Sequence, residues 1–232
     1  MAVESDPRQV LDHGYVKLVE SWGSDLRIIE SARMSTNKGF QGWGTDARLL
    51  RYLWTHGHLT PFEMCGLSIE VQCPIFVMRE WHRHRTQSYN ELSARYTELP
   101  DLFYIPSIER LMNGKQATKN KQSSEAGFNQ DEAALFQAEI ERECGNARGV
   151  YLHLLDAGVS RELARLVIPV NQYSRMRASA NLRNWLAFLD LRLGEGAQFE
   201  IREYAKAVGE IIGELFPRTH ELFNDGRKDG KG

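Results

Sequence analysis

The chain has 232 residues, 29 Lys and Arg against 31 Asp and Glu, a formal net charge of −2 and an isoelectric point near 6.4. That length suits one domain with a sizeable core, and the near balance of charge argues against a general polyanion binder. Three cysteines, Cys65, Cys73 and Cys144, without a C-x-x-C argue against a disulfide framework, and no run of about 18 or more apolar residues supports membrane spanning, so a cytoplasmic protein with no membrane partner is expected.

In chain order, Tyr15 to Trp22 alternates apolar and polar like a half-buried strand. After Gly23-Ser24 a helical run extends to Met34, and a second helix from Thr45 to His56 is stopped by Gly57. Thr60-Pro61-Phe62-Glu63 has the layout of a capping box with proline at the first helical position, so a short helical turn begins there. Cys65 to Cys73 reads as a strand. Pro74 then opens a helix, PIFVMREWHRH, on which Glu80 and Arg83 share a face, as do Arg79 and Arg83.

From His84 to Tyr96 periodicity vanishes and polar side chains crowd together, the pattern of a ligand-binding loop. Residues 113–130 read as a mobile surface insertion, rich in Lys, Gln, Ser, Asn and Gly. A long helix follows from Asp131 to Ala157, ended by Gly158, and Ser160 is placed as the N-cap of a short helix through Val167. A strand over Pro169 to Ala180 leads to a helix from Asn181 to Leu193 with an apolar stripe of Leu182, Trp185, Leu186 and Leu189. Arg192 stands at the edge of that stripe and needs a partner, because an unpaired charge in low dielectric is costly. The last helix spans Ala197 to Phe216. The expected organisation is one domain over residues 1–223 with a disordered polar tail over 224–232.

The richest stretch for chemistry is RHRTQSYNELSARY, Arg83 to Tyr96. Arg83, Arg85 and Arg95 offer planar forks suited to phosphate, and Ser88, Asn90, Ser93 and Tyr96 add neutral hydrogen bonds. On composition alone an Arg-rich run is more often a solvated face. A nucleic-acid polymer is disfavoured because the basic residues form no extended stripe. His56 with His58 and His82 with His84 form close pairs, but neither has metal-ligand spacing and no metal is expected. Gly39 to Gly44 does not fit a dinucleotide fingerprint, and Ser93 lies in no nucleophile elbow.

The order of residues in this stretch meets R-H-R-x-x-S-x-N-E-x-S-x-R-Y at every specified position, and so resembles the signature of the flavin-dependent thymidylate synthases. The resemblance extends to HGHLTPFE (His56 to Glu63), ARLVIPVNQYSR from Ala164 and ANLRNWLAFLDLR ending at Arg192, and spans roughly residues 10 to 216. It implies an α+β fold, a mixed sheet flanked by helices of the thymidylate synthase-complementing type. The implied activity is a methyltransferase's reductive methylation of dUMP to dTMP, with methylene-tetrahydrofolate as carbon donor and NADPH as reductant through FAD. A catalytically inactive homologue that binds nucleotide or flavin is the alternative.

Carried over by the resemblance, flavin contacts fall on Ser35, Thr60, Arg83, His84, Arg85, Glu91, Asn181 and Arg183. Contacts to dUMP fall on Glu80, Arg83, Glu91, Leu92, Ser93, Ala94, Arg95, Arg165 and Arg192. His58 is implied beside the stacked flavin and folate. The resemblance also implies a homotetramer with sites shared between subunits. Arg192 matches the family's activating arginine, which stabilises negative charge as uracil N3 ionises; an arginine in an internal salt bridge is the structural alternative. Ser93 is expected to orient dUMP rather than attack it, since no base partner for its hydroxyl is recognisable. Three positions depart from the family's usual residues: Glu80 stands for Gln, Ala187 for Asn and Gly196 for His. A carboxylate at position 80 repels phosphate unless Arg79 or Arg83 neutralises it.

Overall fold

The computed structural model describes residues 6–118 and 124–228. Strands in chain order are β1 (Arg8–Val10), β2 (Gly14–Trp22), β3 (Gly66–Pro74), β4 (Ser88–Glu91), β5 (Lys115–Gln116), β6 (Ser124–Glu125) and β7 (Tyr173–Asn181). The α-helices are α1 (Asp25–Arg33), α2 (Trp43–Thr55), α3 (Ile75–Trp81), α4 (Ile108–Met112), α5 (Gln130–Asp156), α6 (Arg161–Ala164), α7 (Leu182–Arg192), α8 (Phe199–Leu215) and α9 (Pro217–Lys228). No helix among the described residues is long and apolar enough to cross a membrane.

Five strands form the main sheet in the order β1-β2-β3-β7-β4. The class is α+β, as expected, but each described pairing is antiparallel where the resemblance implied a mixed sheet. The long excursions between β2 and β3 and between β4 and β7 return the chain to the end at which it left, so neighbours run in opposite directions. Helices cover the central strands: along β3 seven of nine residues are buried, whereas β7 alternates, with Met176, Ala178 and Ala180 directed into the core. Helix α8 supplies Ile201, Tyr204, Ala205, Val208, Ile211 and Ile212 to that core, and Trp81 of α3 stacks on Phe188 of α7 at 4.6 Å between ring centroids. Two polar ends of buried aromatics are satisfied on strand carbonyls: Trp185 Nε1 donates to Leu67 O at 3.0 Å and Tyr204 Oη to Gln72 O at 2.9 Å.

Several expectations are refined. Gly57 (φ 70°) and Gly158 (φ 83°) do end α2 and α5 in the left-handed region that glycine tolerates. The expected cap at Ser160 makes no side-chain hydrogen bond, and the short helix splits into α6 and a 3-10 turn over Arg165–Val167. Thr60–Met64 is a 3-10 turn without a side-chain cap, because its N-cap is Leu59, which has no side-chain acceptor, and the Glu63 carboxylate pairs with Arg183. The helix of the signature stops at Trp81, and Ser88–Glu91, expected as loop, adds to the sheet edge as β4. Its mostly exposed residues carry no apolar alternation to announce a strand.

Within the expected insertion at 113–130, β5 and β6 pair, while residues 119–123 lie outside the described residues. The polar tail is corrected for 224–228, which continue α9; residues 229–232 lie outside the described residues. The helix persists because Phe223 is buried edge-on to Trp54 and Arg227 pairs with Asp190 of α7 at 2.9 Å.

Candidate active site

The signature is held in shape by two of its unspecified positions. Trp81 Nε1 donates to Gln87 Oε1 at 3.0 Å, and the Tyr89 hydroxyl sits 2.8 Å from His84 O and 3.1 Å from Trp81 O. The turn carrying Arg83, His84 and Arg85 is thereby closed onto the end of α3. Asn184 of α7 adds a second tie, donating to Thr86 O at 3.0 Å. Arg83 and Arg85 are left exposed, and among the described residues neither has an ion-pair partner. Exposed guanidinium forks without acids are available to an anionic ligand.

Arg192, the last residue of α7, is 8% exposed and has found the partner its burial demanded. Its Nη1 donates to Glu80 Oε2 at 2.5 Å, its Nη2 to Glu80 O at 2.7 Å, and its Nε to His84 Nε2 at 2.9 Å. Glu80 is therefore neutralised by Arg192, not by Arg79 or Arg83 as the helical spacing suggested. The difference arises because Arg192 approaches from another helix, at the C-terminal end of α3, where the helix dipole also favours a cation. Burial first, and then the Arg192 charge, push the His84 pKa down to about 4, so the ring is neutral near pH 7 and accepts from the guanidinium.

Ser35, His58 and Thr60 line one cavity of about 490 Å³, together with Arg33, Leu49, Leu53 and Pro61. Arg33 is held there by Asp46, fully buried, whose carboxylate accepts from Arg33 Nε at 3.1 Å and from the Gln41 N–H at 2.7 Å. Burial raises the Asp46 pKa, but the Arg33 hydrogen bond, the Gln41 N–H and the guanidinium charge outweigh it and hold the carboxyl below its ordinary value. His58 lies edge-on to Tyr52, 5.6 Å between centroids. A second cavity of about 330 Å³ is lined by Arg183, Ala187, Trp54, Phe223 and Arg227, and Arg183 is ion-paired with Glu63 next to Thr60. Asn181, expected as a flavin contact, uses its side chain to cap α7, accepting from Asn184 N at 2.9 Å.

The remaining expected contacts form a separate group. Arg95 is half exposed and pairs with Glu162 of α6 at 3.5 Å, three residues before the exposed Arg165. The Ser93 hydroxyl accepts from Arg95 N at 3.3 Å, and among the described residues no histidine or carboxylate bonds to it. Leu92 is fixed by its backbone, donating to Arg175 O at 2.7 Å; Ala94 is buried; and Glu91 Oε1 accepts from Ser174 Oγ at 3.0 Å. No hydrogen bond or ion pair among the described residues joins the Arg95 and Arg165 group to the Arg192 group. Gln87, Tyr89 and Asn184 are the contributors that the sequence reading did not single out, and their roles are set by turn geometry rather than by any local pattern. Nor do groups of three or more His, Cys, Asp or Glu side chains converge on a metal position among the described residues.

The family model for the thymidylate synthase complementing protein matches residues 17–218. The chain belongs to the flavin-dependent thymidylate synthase family. A flavin-dependent thymidylate synthase of Thermus thermophilus is 43% identical over 95% of this chain and 79% of its own, and one from Thermosipho africanus is 40% identical over 93% and 92%. Among solved structures, the UMP/dUMP methylase PolB from Streptomyces cacaoi, bound with 5-Br dUMP, is 34% identical and superposes with a TM-score of 0.85, covering 94% of this chain and 97% of that one. The signature arginines, the first cavity and the Arg192 cluster lie within the span matched by the family model, whereas Phe223 and Arg227 of the second cavity lie beyond it.

Proposed function

We propose that this protein makes dTMP from dUMP by reductive methylation, taking the carbon from methylene-tetrahydrofolate and reducing equivalents from NADPH through FAD. The observation that carries the reading is the intact signature from Arg83 to Tyr96, with Arg83 and Arg85 exposed and unpaired in a chain 43% identical to a flavin-dependent thymidylate synthase. FAD, when bound, supplies the redox step as a hydride carrier. The residues present fit such a group: an apolar wall of Leu49, Leu53 and Pro61 with polar Ser35, Thr60 and His58 suits a ring system, and Arg83, Arg85 and Arg183 suit a pyrophosphate.

Arg95 and Arg165 hold the dUMP phosphate. Arg192 is the catalytic residue: a permanent cation, fixed in advance by three hydrogen bonds, stabilises the pyrimidine as its N3 loses a proton without reorganising at that moment. Ser93 orients the nucleotide; the absence of a bonded base among the described residues supports positioning over attack. The complete site draws on several copies in a homotetramer, a reading supported by the lack of any bond between the Arg95 and Arg165 group and the Arg192 group within one chain. The chain works in the cytoplasm, consistent with three free, buried cysteines.

Purified protein is expected to be yellow, to release FAD on heating, to bleach on adding NADPH and to form dTMP from dUMP. Failure to take up FAD even after reconstitution with an excess would refute this reading.

A further inference from the structure

Arg192 is held almost entirely by one short stretch of chain. A guanidinium has five N–H bonds, and three of them are engaged here: Nε with the His84 ring, Nη1 with the Glu80 carboxylate and Nη2 with the Glu80 backbone carbonyl. Two N–H bonds remain for a ligand. His84 is neutral, so Glu80 carries the full negative charge that bonds Arg192. The two partners are not equally sheltered, since the Arg192 side chain is 10% exposed and that of Glu80 39%. The carboxylate is thus the less sheltered member of the pair, and its charge opposes the guanidinium's at a ligand that bonds Arg192.

We propose that Glu80 is a positioning residue that both aims Arg192 and sets how much of its positive charge reaches the bound pyrimidine ring. The proposal rests on the dUMP reading above and deepens it. Aim and charge act in opposite senses: the bidentate hold on side chain and carbonyl fixes the guanidinium for reaction, while the carboxylate's charge offsets the field that makes N3 ionisation favourable. Neither Arg83 nor Arg79 shares this task, since no ion pair joins them to Glu80.

Substitutions separate the two effects. Glu80→Gln keeps an acceptor of the same reach and removes the charge. Glu80→Ala removes both charge and side-chain bond, while the His84 ring and the backbone carbonyl still hold the guanidinium. Glu80→Asp keeps the charge and withdraws it. The probe is 5-bromo-dUMP labelled with nitrogen-15 at N3, bound to the FAD-loaded protein and titrated with pH by NMR, because its electron-withdrawing halogen makes N3 ionisation accessible.

In Glu80→Gln, and with the same sign in Glu80→Ala, the N3 midpoint is expected about one pH unit below wild type, a tenfold change in the ionisation ratio. In Glu80→Asp the midpoint stays near wild type while kcat for dTMP formation falls, a split that a merely structural role does not produce. Midpoints in Glu80→Gln and Glu80→Ala equal to or above wild type, with the ligand bound, would overturn the inference and leave the dUMP reading standing. A wild-type protein that binds no 5-bromo-dUMP, or a midpoint unchanged in Arg192→Ala, would overturn the reading on which it rests.

Discussion

Asp25, the first residue of α1, caps a helix that begins almost two hundred residues later. Its Oδ1 accepts from Thr219 Oγ1 at 2.6 Å and Thr219 N at 3.2 Å, and its Oδ2 from Arg218 N at 2.9 Å. The first N–H groups of α9 have no partners within their own helix, and Pro217 at its start brings none. Thr219 is fully buried and Asp25 5% exposed, so water does not replace the carboxylate if it is removed. Hydrogen bonds to a charged group contribute about 1.5 to 3 kcal/mol each, and an orphaned buried donor costs about 1 to 3 kcal/mol. Because three donors share two oxygens these do not add, and Asp25→Ala is expected to lose about 3 to 5 kcal/mol. Asp25→Asn keeps Oδ1 but turns an amide donor toward the Arg218 N–H, and should lose about 1 to 3 kcal/mol. Urea unfolding at fixed chain concentration measures both, with concentration held because assembly contributes to apparent stability. The site feels the change too: Phe223 and Arg227 of α9 wall the cavity that holds Arg183, so Asp25→Ala should also retain less FAD. Stability of Asp25→Ala within about 0.5 kcal/mol of wild type, the range of an ordinary surface substitution, would refute the assignment.

Three other outcomes are expected. Arg95→Ala weakens dUMP binding by about 1.5 to 3 kcal/mol by calorimetry, the range for a charged hydrogen bond, and unchanged affinity would mean that the phosphate is held elsewhere. Ser93→Ala keeps measurable dTMP formation, whereas Arg192→Ala loses about a hundredfold to a thousandfold in turnover with FAD retained; the reverse ranking would reinstate a serine nucleophile. His84 has a folded pKa of about 4, below its ordinary 6.5, so its neutral ring contributes stability fully present above about pH 6.5 and lost as the pH falls toward 4. Partial exposure of the ring leaves about 1 to 2 kcal/mol of that contribution, and wild type should lose more thermal stability than His84→Gln between pH 7 and about 4.5.

Much of the frame was legible in the sequence because local physics decides it. Glycines 57 and 158 stop their helices through a backbone geometry that other residues resist, and the alternation over residues 15–22 survives as β2. The signature loop was recognisable from residue order alone. What escaped was fixed by distant contacts. Strand β4 exists because β7 offers it a ladder, with Ser88 opposite Ser179 and Glu91 opposite Met176, and its own mostly exposed residues say nothing of this. The helix over 224–228 looked like a polar tail because its sequence, NDGRK, is one; burial of nearby Phe223 and the Asp190 ion pair outweigh that poor propensity.

The candidate site divides along the same line. That Arg192 needs a partner follows from one charge at the edge of an apolar stripe, a local inference that the ion pair with Glu80 bears out. Which acid answers it does not follow, because helical spacing offered Arg83 to Glu80 as a neighbour on the same face, worth only about 0.2 to 0.5 kcal/mol on an exposed helix. A guanidinium from α7 that is largely buried must find a counter-charge, and the exposed Arg83 need not. The stronger demand takes the carboxylate. Arg83 is thereby left without an acid at the surface, so the same contact that neutralises a buried cation keeps an exposed one available for an anionic ligand.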